Sequence, residues 1–416
     1  MVAPKPGLAI GCVAAALCAA SCGDNLSGDV PELEPVDTLF VVAHLDDDMI
    51  FMQPELRAAI DAGSMATVYV SSGDATHGRY RGAHTFKAAR VAYGNVAGST
   101  DWDCRYVVVN GSPLHHCQLH DRLVSMVGLD TVDGGVLGDY PYSPLHLMEA
   151  TVPDLPIVGR MRGSATKDSI IDSLFRIITV TQPRQIHTLD LAATHGHDHS
   201  GHMFTASFVL WAAARARYDG AIRWHRGYNV ENEPANLGGG DDQPARSMLG
   251  YFEACYYHCG RCGTSCPVLQ GDHEVWLHRQ YSSTRAPLEA QGGLALADAG
   301  GCVSVAPDRS VMLGDCSTAA TVHLDPRGYL MIGDRCLASG PGNDDPVVLA
   351  RCADSPEQYW VIDSDGFLWN GRPPQPAPDM DYDHVRCLAA GATAGAPLTA
   401  PICGAHRQPH WQFVAR

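Results

Sequence analysis

Short apolar runs alternate with longer segments of helical period along the first two-thirds of the chain. Thr38–Val42 (Thr-Leu-Phe-Val-Val), 66–70, 106–109, Gln185–Leu189 and 222–224 have the length and composition of buried strands. Between them, 49–62, 85–96, 168–179 and 203–217 read as helices, the first closed by Gly63 and the second followed by Gly98. This alternation predicts an α/β domain with a mainly parallel sheet and helices on both faces. Ligands of such sheets bind beyond the carboxyl ends of strands. Two polar clusters stand there, 44–48 after the first strand and 195–202 after Gln185–Leu189, and Ser71-Ser72-Gly73-Asp74 closes the second strand.

The pattern changes at 286–301. From Cys302 onward helical periodicity gives way to Gly, Pro and Asp, and a weak repeat emerges. Cys302 is followed by Cys316, Cys336 by Cys352 and Cys387 by Cys403, at spacings of 14, 16 and 16. Each pair brackets a strand-like Val-Met-Leu, Val-Val-Leu or Pro-Leu-Thr. Gln358-Tyr359-Trp360 follows the second pair and Trp411 the third. Three such repeats resemble a ricin-type β-trefoil, in which Cys pairs and Gln-x-Trp recur once per lobe. The first lobe departs from that pattern with Thr321-Val322-His323, and the third with Gln408-Pro409-His410-Trp411, one residue longer. The family's sugar-clasping Asp is not plain after Cys336 or Cys387, so the resemblance implies the fold more directly than sugar binding.

The amino terminus adds a third kind of segment. Lys5 precedes an apolar run from Leu8 to Ala20 that ends in small residues, which looks like an export leader. Cys22 after those residues resembles a lipoprotein processing site, leaving plain secretion and lipid anchoring at Cys22 both open. The expected organisation is therefore a leader at 1–22, a tether at 23–35, a catalytic domain at 36–285, a linker at 286–300 and the trefoil at 301–416. Of the 15 Cys, 12 lie beyond the leader and fall into local groups, which fits an oxidising compartment. Cys255, Cys259, Cys262 and Cys266 have spacing compatible with a structural zinc or with two disulfides, the latter favoured by export. Asn110-Gly111-Ser112 has the pattern of a glycosylation sequon. At 416 residues, 45% hydrophobic and 18% charged, the chain is globular and long enough for two domains. A formal charge of −17 without a Lys/Arg run argues against nucleic acid or anionic membrane surfaces as partners. No oligomeric state is implied.

The chemistry concentrates in the two clusters. Ala43-His44-Leu45-Asp46-Asp47-Asp48 brings one imidazole and three carboxylates into a single turn, a costly arrangement unless a cation offsets it. His44 with Asp47 suits one divalent ion, and an adjacent Asp is left as a base. Imidazole and carboxylate ligands favour zinc or a neighbouring first-row metal over magnesium. His195-Gly196-His197-Asp198-His199-Ser200-Gly201-His202 opens a helix and supplies the third ligand that a catalytic zinc needs. An Asp-rich surface turn or a calcium loop is the alternative for the first cluster, surface His or a separate metal site for the second.

Residues 43–52 resemble the Ala-His-Pro-Asp-Asp motif of the PIG-L/LmbE de-N-acetylase family, and His199-Ser200-Gly201-His202 resembles its second motif, His-x-Asp/Asn-His. Segments 86–98, Gly227-Tyr228 and Pro234-Ala235-Asn236-Leu237 also look familial. The resemblance spans about 37–285 and implies a Rossmann-like α/β domain that removes the acetyl group from N-acetylglucosamine units of a glycan or glycoconjugate. By the same resemblance His44, Asp47 and His202 bind zinc. Asp46 is the general base toward the attacking water and later the acid for the leaving amine, and His199, as an imidazolium, stabilises the oxyanion. Leu45 stands where the family has Pro, and Gly201 where it has Asp or Asn. Another register, ending the motif at Asp198-His199, makes His199 the ligand. Asp74, Arg79 and Arg81 are the candidates for gripping substrate. Two other readings stay open: an inactive exported carbohydrate-binding protein, and a zinc amidase acting on a non-sugar substrate.

Overall fold

The computed structural model describes residues 33–75, 77–109, 112–238, 240–297, 300–375, 384–391, 395–404 and 409–415. The leader, most of the tether, Asn110 and Gly111 of the sequon, and Gln408 lie outside them. The first part of the chain runs β1 Thr38–Val42, α1 Asp47–Phe51, α2 Glu55–Ala62, β2 Ser64–Ser71, α3 Arg79–Ala97, β3 Trp102–Val109, β4 Ser112–Leu119 and β5 Leu123–Thr131. It continues with α4 Pro144–Met148, β6 Leu155–Ile157, β7 Gly163–Ala165, α5 Lys167–Thr181, β8 Gln185–Leu189, α6 Ser200–Ala216, β9 Ala221–His225, α7 Gln243–Tyr256, α8 Gly271–Trp276 and β10 Ser282–Thr284.

These strands form one sheet in the order β10-β9-β8-β1-β2-β5-β4-β3. The central strands β9, β8, β1, β2 and β5 are parallel, whereas at the edges β10 pairs antiparallel with β9, β4 with β5 and β3 with β4. Alternation along β1 feeds two cores. Leu39 and Val41 face a cluster with α5 and α6, while Phe40 and Val42 face one with α1, α2, α3 and α7. Such double burial explains why β1 is apolar without a break. The chain winds from β1 outward through β2 to β5, then crosses to β8 and β9 on the other side of β1. The order therefore reverses between β1 and β8, the position where α/β sheets open a crevice for ligands.

Several elements differ from the sequence expectation. The helix expected over 49–62 is two helices, because Pro54 cannot donate a backbone hydrogen bond and instead opens α2. Gly63 closes α2 in the left-handed conformation, as expected, with φ +65°. Helix α3 begins at Arg79 rather than 85, its polar first turn hiding the start. The strand at 106–109 begins at Trp102 and forms a hairpin with β4, stapled by Cys104–Cys117. β5, buried beside β2, carried no expectation at all.

From Ala290 the chain is all β. Its strands are β11 Ala290–Leu296, β12 Cys302–Val305, β13 Val311–Gly314, β14 Val322–Leu324, β15 Leu330–Ile332, β16 Arg335–Ala338, β17 Val348–Arg351, β18 Trp360–Ile362, β19 Leu368–Asn370, β20 Arg386–Cys387 and β21 Trp411–Val414. Disulfides join Cys302–Cys316, Cys336–Cys352 and Cys387–Cys403. Three backbone bridges, Ser310 with Val348, Pro346 with Thr399 and Met312 with Pro397, link the bracketed strands in a closed cycle. The indole N–H of Trp360 donates to the Leu337 carbonyl at 2.9 Å, and that of Trp411 to Leu388 at 2.8 Å. These tryptophans occupy equivalent places in successive repeats. In the first repeat the Val303 carbonyl takes the backbone N–H of Ala320 instead, at 3.1 Å, and the smaller Val322 fills the core.

The two parts share a packed interface. Helix α6 is buried all round because α5, the sheet and the all-β region cover it, with Tyr359, Val361 and Trp369 in the same cluster as Phe208 and Trp211. The buried Arg285 guanidinium bridges the boundary, donating to the carbonyls of Tyr218 and Pro326. Arg217 donates to the carbonyls of Ala353 and Ser355 at 2.6 and 2.8 Å and stacks on Tyr329.

Candidate metal centre and reaction cavity

The carboxyl end of β1 turns directly into α1, and the turn is tied by its own acid. The His44 backbone N–H donates to Asp47 Oδ2 at 2.7 Å. Asp48 points away from the crevice into the core. It accepts hydrogen bonds from Met49 N, the Tyr69 hydroxyl and the Tyr93 hydroxyl. Burial pushes its carboxyl up to about 7 against those bonds, so the third acid of the run is a core residue.

His202, in the first turn of α6, meets this turn across the β1/β8 crevice. His44 Nδ1, Asp47 Oδ1 and His202 Nε2 lie 3.1–3.3 Å from one another. Ligand atoms about 2.0–2.2 Å from a tetrahedral ion are separated by about 3.3–3.6 Å. The three atoms thus form one face of a tetrahedron of nearly the right size, with the fourth corner left to the cavity. His199 adjoins them; its ring, with those of His44 and His202, offers nitrogens within 4.8 Å of one another.

The supporting residues were less visible in the sequence. Asp198 Oδ1 accepts from His202 Nδ1 at 2.8 Å, His199 N at 2.7 Å and Tyr228 N at 2.9 Å. This carboxylate stands one turn before His202 and orients its ring, so Gly201 leaves no gap in the support. Gly227 lets Asp198 and His202 approach: a Cβ there would overlap both side chains. Asp133, at the end of the unforeseen β5, places Oδ1 3.5 Å from His44 Nε2 and 3.6 Å from His199 Nε2. The apolar run before it, with an acid at its carboxyl end, carried the same signal as the other two clusters.

The cavity, about 430 Å3, is lined by His44, Leu45, Asp46, Asp133, His199, Tyr228, Tyr256, Tyr257, His273 and Trp276 among others. The sequence-named substrate residues do not line it. Buried Asp74 accepts from the backbone N–H groups of Gly78 and Asp133, and so holds Asp133 in place. Arg79 lines a separate cavity with Arg162. Arg81 stacks 3.8 Å from the centre of the Tyr256 ring and donates to its hydroxyl, bracing the cavity wall from behind.

The charges are arranged in alternation. Burial works against the Asp47 carboxylate, but His202 and His44 outweigh it and hold the carboxyl well below the usual range. Burial also opposes the His202 imidazolium, yet Asp198 and Asp47 raise it to about 9. His44 is raised in the same way by Asp47 and Asp133. Two rings that hold protons this firmly around one ionised carboxylate would have to release them to a divalent ion bound there. Asp46 is raised, first by burial and then by Asp47. His199 differs from the sequence expectation: burial, with His44 and His202, holds it well below the ordinary value, so it is a neutral imidazole. Its Nδ1 accepts the Gly201 N–H at 2.9 Å, which puts the ring proton on Nε2, on the Asp133 side.

The four-cysteine cluster forms two interleaved disulfides, Cys255–Cys262 and Cys259–Cys266, the favoured of the two readings of its spacing. They brace the excursion between α7 and α8, the two helices from whose facing ends Tyr256, Tyr257 and His273 line the cavity. Among the described residues no helix is long and apolar enough to cross a membrane.

Fold and site together describe an α/β protein with a buried cluster of His44, Asp47, His199 and His202 at the reversal point of its sheet. Residues 39–213 match the family model described as PIG-L, GlcNAc-PI de-N-acetylase, and this segment is a PIG-L domain. No curated protein matches the chain. Among solved structures, the zinc-inhibited form of teicoplanin deacetylase is 12% identical, with 59% of this chain and 96% of that one covered and a TM-score of 0.33. The agglutinin of Abrus precatorius is 19% identical over 30% of this chain, with a TM-score of 0.25, and the chain spans 48% of its length. The Vibrio vulnificus hemolysin/cytolysin β-trefoil lectin is 15% identical over 31% of this chain and 96% of its own, with a TM-score of 0.26.

Proposed function

We propose that the protein is an exported, zinc-dependent de-N-acetylase that hydrolyses the N-acetyl group of an N-acetylglucosamine-containing glycan or glycoconjugate. The observation that carries this reading is the 3.1–3.3 Å triangle of His44, Asp47 and His202 beside a cavity that also holds Asp46 and His199. The PIG-L match over 39–213 supports the amide and the amino sugar as substrate.

In this reading His44 Nδ1, Asp47 Oδ1 and His202 Nε2 hold the metal. A divalent ion bound there supplies Lewis acidity toward the amide carbonyl and acidifies water. Asp46, partly buried with a raised pKa, takes the proton of the attacking water. His199 Nε2–H donates to the oxygen on which negative charge develops, a role that a neutral imidazole fills. Asp198 fixes the His202 ring, while Asp133 and, behind it, Asp74 fix His44 and His199. Tyr228, Tyr256, Tyr257 and Trp276 give the cavity an aromatic wall against which a pyranose would lie. We read the domain as Rossmann-like over 36–285 and the all-β part as a ricin-type β-trefoil over 301–416 that keeps the enzyme near glycans. The six disulfides support an extracytoplasmic location, reached by the leader at 1–22 with or without lipidation of Cys22.

The test is acetate release from a panel of N-acetylglucosamine compounds, with metal-stripped and zinc-restored protein side by side. Zinc-dependent release that Asp46→Asn abolishes while keeping its zinc supports the reading. Stoichiometric zinc with no release across the panel would point to a non-sugar amide. Neither metal nor turnover would point to an inactive carbohydrate-binding protein.

A further inference from the structure

The cavity holds one more imidazole, contributed by a part of the chain beyond the matched segment. His273, on α8, is buried and lines the cavity with Asp46. Its Nδ1 lies 2.6 Å from Glu253 Oε1. Glu253, on α7, is 0% exposed, and its two oxygens also take the Gln270 N–H at 3.1 and 3.0 Å. Its other partner is the His273 ring, with which it forms a buried ion pair when that ring carries its second proton. With Nδ1 committed to Glu253, Nε2 is the ring atom left to serve the cavity.

The charges that act most on His273 are acidic: Glu253 from α7, Asp46 from the β1–α1 turn and Asp272 from α8 itself. The neighbouring rings are Trp276, with centroids 5.7 Å apart, and Tyr257, at 6.3 Å. Burial opposes its charge, but Glu253 and Asp46 keep the imidazole above its ordinary pKa. His199 is not suited to give up a proton, because Gly201 occupies its Nδ1 and its single ring proton is the one offered to the oxyanion.

We propose that His273 is a second catalytic residue, the acid that protonates the departing amine, held for that task by Glu253. This rests on the de-N-acetylase reading above. Asp46 takes a proton from water as the water oxygen bonds to the acetyl carbon, and the carbonyl electron pair moves onto oxygen. The carbonyl then re-forms, and the C–N bond breaks with its pair going to nitrogen. That nitrogen takes the proton from His273 Nε2. The proton on Asp46 passes through solvent to His273, so amide and water give acetic acid and free amine with both residues restored. Base and acid are thus two residues rather than Asp46 alone.

His273→Asn tests this in the zinc-loaded full-length protein, because Asn keeps a donor toward Glu253 and lacks Nε2. The expected result is a kcat lower by about 100-fold or more, with KM within a few-fold and full zinc content. Free imidazole should restore part of the kcat of His273→Ala. By NMR on metal-free protein, the His273 ring should titrate above the ordinary value and fall back in Glu253→Gln. An unchanged kcat in His273→Asn, a rise in KM alone, or a loss in His273→Ala that imidazole does not relieve would each overturn the proposal. Wild-type turnover separates the two readings: active wild type with unaffected variants overturns only the role of His273, whereas wild type inactive on every N-acetyl compound overturns both.

Discussion

Replacing Asp198 by Asn removes one negative charge and almost nothing else. Asn is the same size and keeps an acceptor oxygen for the N–H groups of His199 and Tyr228 and for His202 Nδ1. What changes is the basicity of His202, whose ring is buried and whose largest favourable charge interaction is with Asp198. Loss of such a partner typically costs 10–100-fold in metal affinity, about 1.4–2.7 kcal/mol. Proton competition modifies that figure. In the wild type His202 holds its proton up to about pH 9, so at pH 7 zinc must displace it at a cost of about a hundredfold in apparent affinity. In Asp198→Asn the imidazole gives up its proton more readily and that cost shrinks. The variant should therefore bind zinc about 10–100-fold more weakly at pH 9, and the gap should narrow at pH 7. Titration against a zinc-buffering chelator at both pH values measures this, with circular dichroism confirming the fold. Equal affinity at pH 9, or a gap that widens toward pH 7, would refute the assignment of Asp198 as the support of a metal-binding His202.

Three further outcomes follow from the geometry. In the wild type His44 and His202 are both raised and must lose protons to become ligands, so apparent zinc affinity should climb from pH 6 to pH 8 by up to about a hundredfold per pH unit. Calorimetry in buffers of different ionisation enthalpy should show proton release at pH 7, and a flat profile would refute the reading that zinc displaces protons from these two rings. Gly227→Ala places a methyl group against Asp198 and His202, so zinc affinity and kcat should both fall at least tenfold with little change in the all-β region, as assayed by metal content and turnover. Arg285→Met leaves the buried carbonyls around the boundary short of a donor, at a cost of about 2–4 kcal/mol. Scanning calorimetry should then show a lowered and broadened or split transition, and an unshifted single transition would mean the interface does not couple the two parts.

The sequence carried the site further than it carried the sheet. His44, Asp46, Asp47, His199 and His202 stand in two short clusters, each directly after an apolar run, and local order alone puts each cluster at a strand's carboxyl end. Asp48 belonged to the same run of acids, yet its direction depends on Tyr69 and Tyr93, from two other elements. Arg79 and Arg81 begin a helix whose polar first turn has no periodic signal, and α3 carries both away from the cavity lining. Glu253 and His273 lie on different helices either side of a disulfide-braced excursion, and no spacing rule joins them.

Read alone, the chain determined the alternation of strands and helices, the His- and Asp-rich turns, the Cys pairs and the three-fold recurrence after Cys302, because each is written in neighbouring residues through period, turn chemistry and fixed spacing. Only the tertiary structure decided that β8 lies beside β1, which brings His202 within 3.1–3.2 Å of Asp47 and His44 across more than 150 residues. It alone decided that β5 delivers Asp133 to the same crevice, that Asp198 rather than residue 201 supports His202, and that the α7–α8 excursion closes the cavity. Those outcomes depend on strand order and on which buried charges find partners. Both are settled by packing between segments far apart in the chain, where the local pattern is silent.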